Sequence, residues 1–429
     1  MQTIIKAAHI LRATAVSLGI SLFVYSSANA APSGLNANAL QELRDADVDG
    51  YLGQYSPTGE PQDLGGGWSK HDFDSDNGNG PICIDGSDFS VVSKEGNPKK
   101  LLVFLQGGGA CWQGFYNCNT SAQNQANNPP QFGVFDTSQS DNPFADYSVV
   151  YVPYCDGSAF GGDNEVDDPT WTNISGSPKR YHRGVRNQSA GIDLAGQLFP
   201  KAKQITVMGH SAGGVGVAAF APFLARFVFG NNVKLTVFND AGPIAVNLGA
   251  GTPPFACQDF SCLSVAARAF DWNFASYYPQ SCIDDGRCNE YAQQTGIISW
   301  RLENDSTIRE AFYETDADGT NRFFAQGDGS LMSVETYRAL ILQEHGALNA
   351  LYPKRYKRFI VSEDDTHGGI QGTAGSACFP PQPFLFYTQE VNGKTLRDWT
   401  EEFVRIGQRQ SKFGWKDIVE DFTELNCLP

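Results

Sequence analysis

An apolar run at residues 204–208 gives way to Gly209-His210-Ser211-Ala212-Gly213-Gly214 and then to a helical stretch ending near Phe229. A G-x-S-x-G bend squeezed between strand and helix is a narrow constraint, because the backbone is strained and only small neighbours fit beside the serine. Gly209 and Gly213 supply that room. The surrounding chain has the matching rhythm. Residues 100–105, 147–152, 234–238, 308–313 and 358–361 read as further strands, and residues 184–198 as a helix. Strands that are apolar along their whole length and alternate with helices predict an α/β fold: a mostly parallel central sheet flanked by helices. Residues 257–300 interrupt the alternation with aromatics and cysteines and are expected to form a cap-like insertion.

The bend raises a serine hydroxyl where a base can reach it, and the following helix points its amide-rich start at developing negative charge. Ser211 is therefore the candidate nucleophile. After the first strong strand comes Gln106-Gly107-Gly108-Gly109-Ala110, a glycine-rich loop of the kind that lets backbone amides approach an oxyanion. Gly108 or Gly109, with the amide of Ala212, is expected to form that hole. A phosphate-binding loop would need a Lys-Ser/Thr pair that is missing here.

Five histidines follow residue 30: His71, His182, His210, His345 and His367. A fold of this type orders its triad as Ser, acid, His, which sets aside His71 and His182. His210 flanks the serine and is expected to point away from its Oγ. His345 lies within a helical pattern. His367 sits on a polar turn after a late strand and is the expected base. The acid should lie on a loop between Ser211 and His367. Asp316 is the choice, with Asp318 next to it, while Asp364 and Asp365 lie too near His367 in sequence.

The two ends of the chain carry other information. Lys6 and Arg12, an apolar stretch at 13–25, and Ala28-Asn29-Ala30 have the three-part layout of a secretory signal peptide over residues 1–30. Export suits the ten cysteines, which read as disulfides rather than zinc ligands because no paired C-x-x-C set is present. Cys111 with Cys118 and Cys282 with Cys288 are expected as local staples, and Cys378 with Cys427 as a C-terminal tie. Residues 31–80 are expected to be a loosely structured leader packed on the main domain at 81–429. Within it Asp45 to Gly50 copies half a calcium loop, but Ser56 stands where the twelfth-position acid belongs, so a polar turn is the better reading. The formal net charge of −16 becomes two units more negative once Lys6 and Arg12 are removed. That acidity argues against nucleic acid or an anionic membrane as partner, and no later segment has the length of a membrane span.

Several blocks, taken together, resemble the pectin acetylesterases and the Notum proteins. They are Leu102 to Gly108 with Cys111, Tyr154-Cys155-Asp156-Gly157-Ser158-Ala159-Phe160-Gly161-Gly162-Asp163, Arg183-Gly184-Val185-Arg186, Gly209 to Gly214, and Asn239-Asp240-Ala241-Gly242. The resemblance implies an extracellular or periplasmic α/β-hydrolase that cleaves carboxylic esters through Ser211, Asp316 and His367, with no metal or other cofactor. It implies an acylated carbohydrate or a small ester as substrate. Ala110 stands where many members have a larger residue, which bears on the acyl pocket. Two other readings compete: a long-chain deacylase, and an inactive carbohydrate-binding protein on the same scaffold.

Overall fold

In the computed structural model, residues 34–242, 270–288, 294–326, 330–362, 364–371, 384–405 and 414–422 are described. The signal segment and the Cys378–Cys427 pairing lie outside them. One large sheet organises the rest. Its strand order is Gln62–Gly65, Trp68–Asp72, Ser90–Lys94, Tyr147–Val152, Asn97–Leu105, Gln204–His210, Lys234–Asp240, Arg309–Thr315, Tyr356–Val361 and Ile418–Val419. The first pairings are antiparallel, and every pairing from Tyr147–Val152 onward is parallel.

Alternation along the buried strands divides the core between the two faces. Leu101, Val103 and Leu105 join Val207 and Val237 under the helices Gly184–Leu198 and Ala221–Phe229. Leu102 and Phe104 join Met208, Phe238 and Phe359 under the helix Leu396–Arg405, against Trp399 and Phe403. Both faces are covered, which is why these strands read as unbroken apolar runs.

The helix expected after Ser211 is broken in two, Ala212–Ala218 and Ala221–Phe229, with a bend of 55°. Pro222 in the first turn of the second segment has no N–H to continue the first. The carbonyls of Ala218 and Ala219 are taken by Arg301 Nη1 at 2.9 and 2.8 Å, and Arg301 is in turn paired with Glu310 at 2.7 Å. No single helix among the described residues is long and apolar enough to cross a membrane.

The segment expected as a loose leader contributes structure instead. Asn36 caps the helix Ala37–Asp45 through its side chain, and Trp68–Asp72 is a sheet strand. That strand escapes a hydrophobicity reading because its sequence is polar. Its buried Lys70 and His71 have polar partners: Lys70 Nζ donates to Gln123 Oε1 at 2.8 Å and pairs with Asp72 at 3.1 Å, and His71 Nε2 bonds Ser93 Oγ at 2.9 Å. The helix ends at Asp45, and Ala46 to Gly50 is a turn, with Asp47 at φ 58°.

His345 is a core residue. Its ring stacks on Phe312 at 3.7 Å and its Nδ1 bonds the Tyr356 hydroxyl at 2.6 Å. Burial, aided by the charge of Arg358, pushes its pKa down to about 3. Burial, and then Arg180, does the same to His182, whose pKa also falls to about 3. Both rings are thus neutral in the fold and take up protons only on unfolding. The stability they contribute is intact above the unfolded value and is lost as pH falls toward the folded one, at about 1.4 kcal/mol per ring per pH unit. We expect a His345→Gln variant to lose less melting temperature than the parent between pH 7 and pH 5. Equal losses would show that this ring does not titrate on unfolding.

Candidate active site

The parallel strands end in register. Leu105 pairs with Gly209, and His210 with Asp240, Asp240 with Tyr313 and Tyr313 with Phe359 across the next three strands. Loops that leave these ends therefore emerge on one edge. Strand Asn97–Leu105 is also where the chain order reverses, with Tyr147–Val152 on one side and Gln204–His210 on the other. In open α/β sheets, such a reversal opens a crevice at the carboxyl ends.

Ser211 stands at that crevice between strand and helix, with φ 54° and ψ −120°. A left-handed φ is strained for a residue with a Cβ and is kept only where its surroundings enforce it. The enforcement is visible in the flanking glycines. A Cβ on Gly209 would lie 2.1 Å from the Gly213 carbonyl oxygen, and one on Gly213 would lie 2.0 Å from that of Leu105. The glycine-rich loop after Leu105 presses against the same bend. A Cβ on Gly107 would come within 2.8 Å of both Ser211 Cβ and the His210 carbonyl oxygen. Gly108 and Gly109 continue past the serine into a small hairpin, Gly109–Trp112 with Phe115–Cys118, closed by the Cys111–Cys118 disulfide. Cys282–Cys288 also forms as expected. Cys83–Cys155, which spacing did not suggest, anchors the loop that starts at Tyr154.

His367 is held by a carboxylate, and the carboxylate is that of Asp318. His367 Nδ1 lies 2.7 Å from Asp318 Oδ2, while its Nε2 is buried and has no hydrogen-bond partner among the described residues. Asp318 does two jobs. Its Oδ1 accepts the Asn321 N–H at 2.7 Å and so caps the helix Gly319–Gln326, leaving Oδ2 for the imidazole. This corrects the expectation of Asp316. Asp316 is occupied elsewhere, ion-paired with Arg338 of the helix Val334–Leu351 and accepting the Ser362 hydroxyl at 2.8 Å.

The electrostatics around the imidazole have definite signs. Burial alone pulls the His367 pKa down. The charge and hydrogen bond of Asp318, with a further push from Asp240, outweigh it and leave the pKa raised above the ordinary histidine value. Behind Asp318 lies Glu314, which is fully buried. Burial first, and then the Asp318 charge, pushes its carboxyl well above the usual carboxylate range. Asn321 Nδ2 bridges the two carboxyl groups, at 3.2 Å from Glu314 Oε2 and 3.1 Å from Asp318 Oδ2.

His210 is not an idle neighbour of the serine. Its Nδ1 lies 2.8 Å from Asp240 Oδ2, and its ring sits 4.9 Å from that of His367, centroid to centroid. Nothing in periodicity or spacing signals this second pair. Beside the glycine-rich loop opens a groove of about 660 Å³, lined by Gly108, Gly109, Asn117, Asn119, Thr320, Phe323, Phe324 and Leu331 among others. No cluster of metal-ligating side chains occurs among the described residues.

Comparison with known proteins agrees with this architecture. Residues 72–246 match the pectinacetylesterase family model. Pectin acetylesterase 4 of Arabidopsis thaliana is 25% identical over 248 residues, 52% of this chain and 58% of its own length. The palmitoleoyl-protein carboxylesterase Notum of Schmidtea mediterranea is 28% identical over 153 residues, 32% of this chain and 27% of its own. The chain thus spans less than two thirds of the length of either relative. Among solved structures, the Wnt deacylase Notum from Drosophila superposes with a TM-score of 0.54 at 15% identity, covering 79% of this chain and 93% of that one. That likeness bears on the fold and agrees with a large parallel sheet of α/β-hydrolase type. The blocks picked out in the sequence and the match over residues 72–246 converge: the chain is similar to the pectin acetylesterases and the Notum proteins.

Proposed function

We propose that the protein is an exported serine esterase, with Ser211 as nucleophile, His367 as general base and Asp318 as the acid that orients it. The observation that carries this reading is the His367–Asp318 pair, its Nε2 without a partner among the described residues, on the same sheet edge as a serine held at positive φ. Asp318 holds the proton on Nδ1, which leaves Nε2 free to accept one from the serine hydroxyl. Ser211 Oγ then attacks the ester carbonyl. Backbone amides of Gly108 or Gly109, together with that of Ala212, receive the negative charge on the carbonyl oxygen. His367, now an imidazolium paired with Asp318, returns its proton to the leaving alcohol. Water activated by the same ring releases the acid and restores the serine.

The names of the relatives support an acyl ester as substrate, and we favour an acetyl ester of a polysaccharide. The groove supports a bulky alcohol portion, because the amides of Asn117 and Asn119 and the rings of Phe323 and Phe324 line it beside the glycine loop. The disulfides support export. The test is release of free acid from acetylated polysaccharides, measured beside nitrophenyl esters of graded chain length. Acetate release from polymer, with activity falling as the acyl chain lengthens, is the expected result. A maximum at long chains would favour the lipid-type deacylase. No hydrolysis of any ester would favour the binding protein.

A further inference from the structure

Asp240 ends the strand beside the one that carries the nucleophile, is fully buried, and uses every acceptor it has toward the site. Its backbone carbonyl accepts the Ser211 N–H at 2.8 Å. Its Oδ1 accepts the Gly369 N–H at 2.9 Å, and its Oδ2 lies 3.4 Å from the Ile370 nitrogen. Its Oδ2 also meets His210 Nδ1 at 2.8 Å. One residue therefore grips the serine bend with its main chain and the histidine loop with its side chain.

The fit between loop and pair is close. Gly368 has φ +76°, and a Cβ there would lie 2.3 Å from His210 Cε1 and 2.9 Å from Asp240 Oδ2. The next residue after the base is thus seated directly on the His210–Asp240 pair. The turn that presents Asp240 is itself clamped. Asn239 Oδ1 accepts the Gly242 N–H at 3.0 Å, and Ala241 adopts φ 50°. Freedom of Asp240 to shift is small, so its oxygens are fixed reference points for both loops.

We propose that Asp240, held by His210, is a positioning residue that sets the His367 loop in register with the Ser211 bend. The proposal rests on the esterase reading above. Asp240 need not touch substrate; it determines where the base stands. Misplacing a reacting group by about 1 Å costs on the order of 100-fold in rate.

The test uses the full chain, a soluble nitrophenyl acetate, and the variants Asp240→Ala, Asp240→Asn and Ser211→Ala. Asp240→Ala should lower kcat by about 100-fold with KM changed little. Asp240→Asn keeps an acceptor for the Gly369 N–H and should recover to within about tenfold of the parent. It should also move the acid limb of kcat/KM to lower pH, because a negative charge that favours the His367 imidazolium is gone. The other titratable groups around that ring, Asp318, His210, Glu314, Asp364 and Asp365, are left in place. Parental kcat and an unshifted limb in Asp240→Asn would overturn the proposal. A fall in kcat with an unshifted limb would mark a purely structural role and overturn it too. Should Asp240→Ala fail to fold, the asparagine variant alone decides. Full turnover by Ser211→Ala would instead bring down the esterase reading itself, and this proposal with it.

Discussion

Ser211→Ala is expected to lower turnover of a nitrophenyl acetate by about 10,000-fold to a million-fold, with the melting temperature within a few degrees of the parent. The magnitude follows from how such groups act together: loss of the nucleophile removes the whole covalent route, and what remains comes from the oxyanion amides and binding. The small effect on stability follows from the backbone. Ser211 holds φ 54° because its neighbours enforce it, and alanine has the same Cβ and nearly the same conformational cost. The strain is stored by the packing of Gly209, Gly213 and Gly107 around the bend, not by the hydroxyl. Steady-state kinetics and a thermal melt of the purified variant check both halves of the expectation.

The second large effect separates two aspartates that stand two residues apart. Asp318→Asn should lower kcat by about 10,000-fold, because an amide in that place favours the wrong imidazole tautomer. Its cost in stability should be modest, since asparagine also caps helices well and can still accept the Asn321 N–H. Asp316→Ala should do the opposite. It leaves His367 and Asp318 untouched, so kcat should stay within about tenfold. It breaks a buried ion pair with Arg338 and a bond from Ser362, and should cost about 2–4 kcal/mol of stability. If Asp316→Ala were inactive while folded and Asp318→Asn were active, the assignment of the acid would be reversed.

The contrast between those two residues also shows what a sequence can and cannot disclose. Strand Tyr147–Val152 and helix Gly184–Leu198 were legible to the residue, because burial on both faces or on one stripe writes itself directly into composition. The G-x-S-x-G bend was legible for a steric reason: no side chain larger than hydrogen fits at its glycines. The Cys111–Cys118 hairpin was legible because short loops bring their ends together. Asp316 against Asp318 was not, since the outcome depends on Arg338, which reaches Asp316 from a helix some twenty residues later. A clue was present in Asp318-Gly319-Thr320-Asn321, which reads as a helix cap and so places a carboxylate at a loop's end. The strand Trp68–Asp72 was hidden by its polar residues, whose partners Gln123 and Ser93 come from distant segments. The His210–Asp240 pair was hidden for a similar reason: it depends on adjacent strands ending in register.

The balance of charge around His367 ties these points together. Asp318 and, to a smaller extent, Asp240 leave the ring with a raised pKa, and its Nε2 has no hydrogen-bond partner among the described residues. A base of that kind acts only on a hydroxyl brought within its reach. Ser211 is the hydroxyl we propose for it.

The most direct measurement is the site of reaction with a fluorophosphonate, which labels only a serine activated by a base. The mature protein is treated with the reagent, digested, and the adduct located by mass spectrometry. One phosphonyl group on the peptide containing Ser211, absent from Ser211→Ala and strongly reduced in His367→Ala, is the result this account predicts. An unmodified Ser211, or equal labelling with His367 replaced, would contradict it.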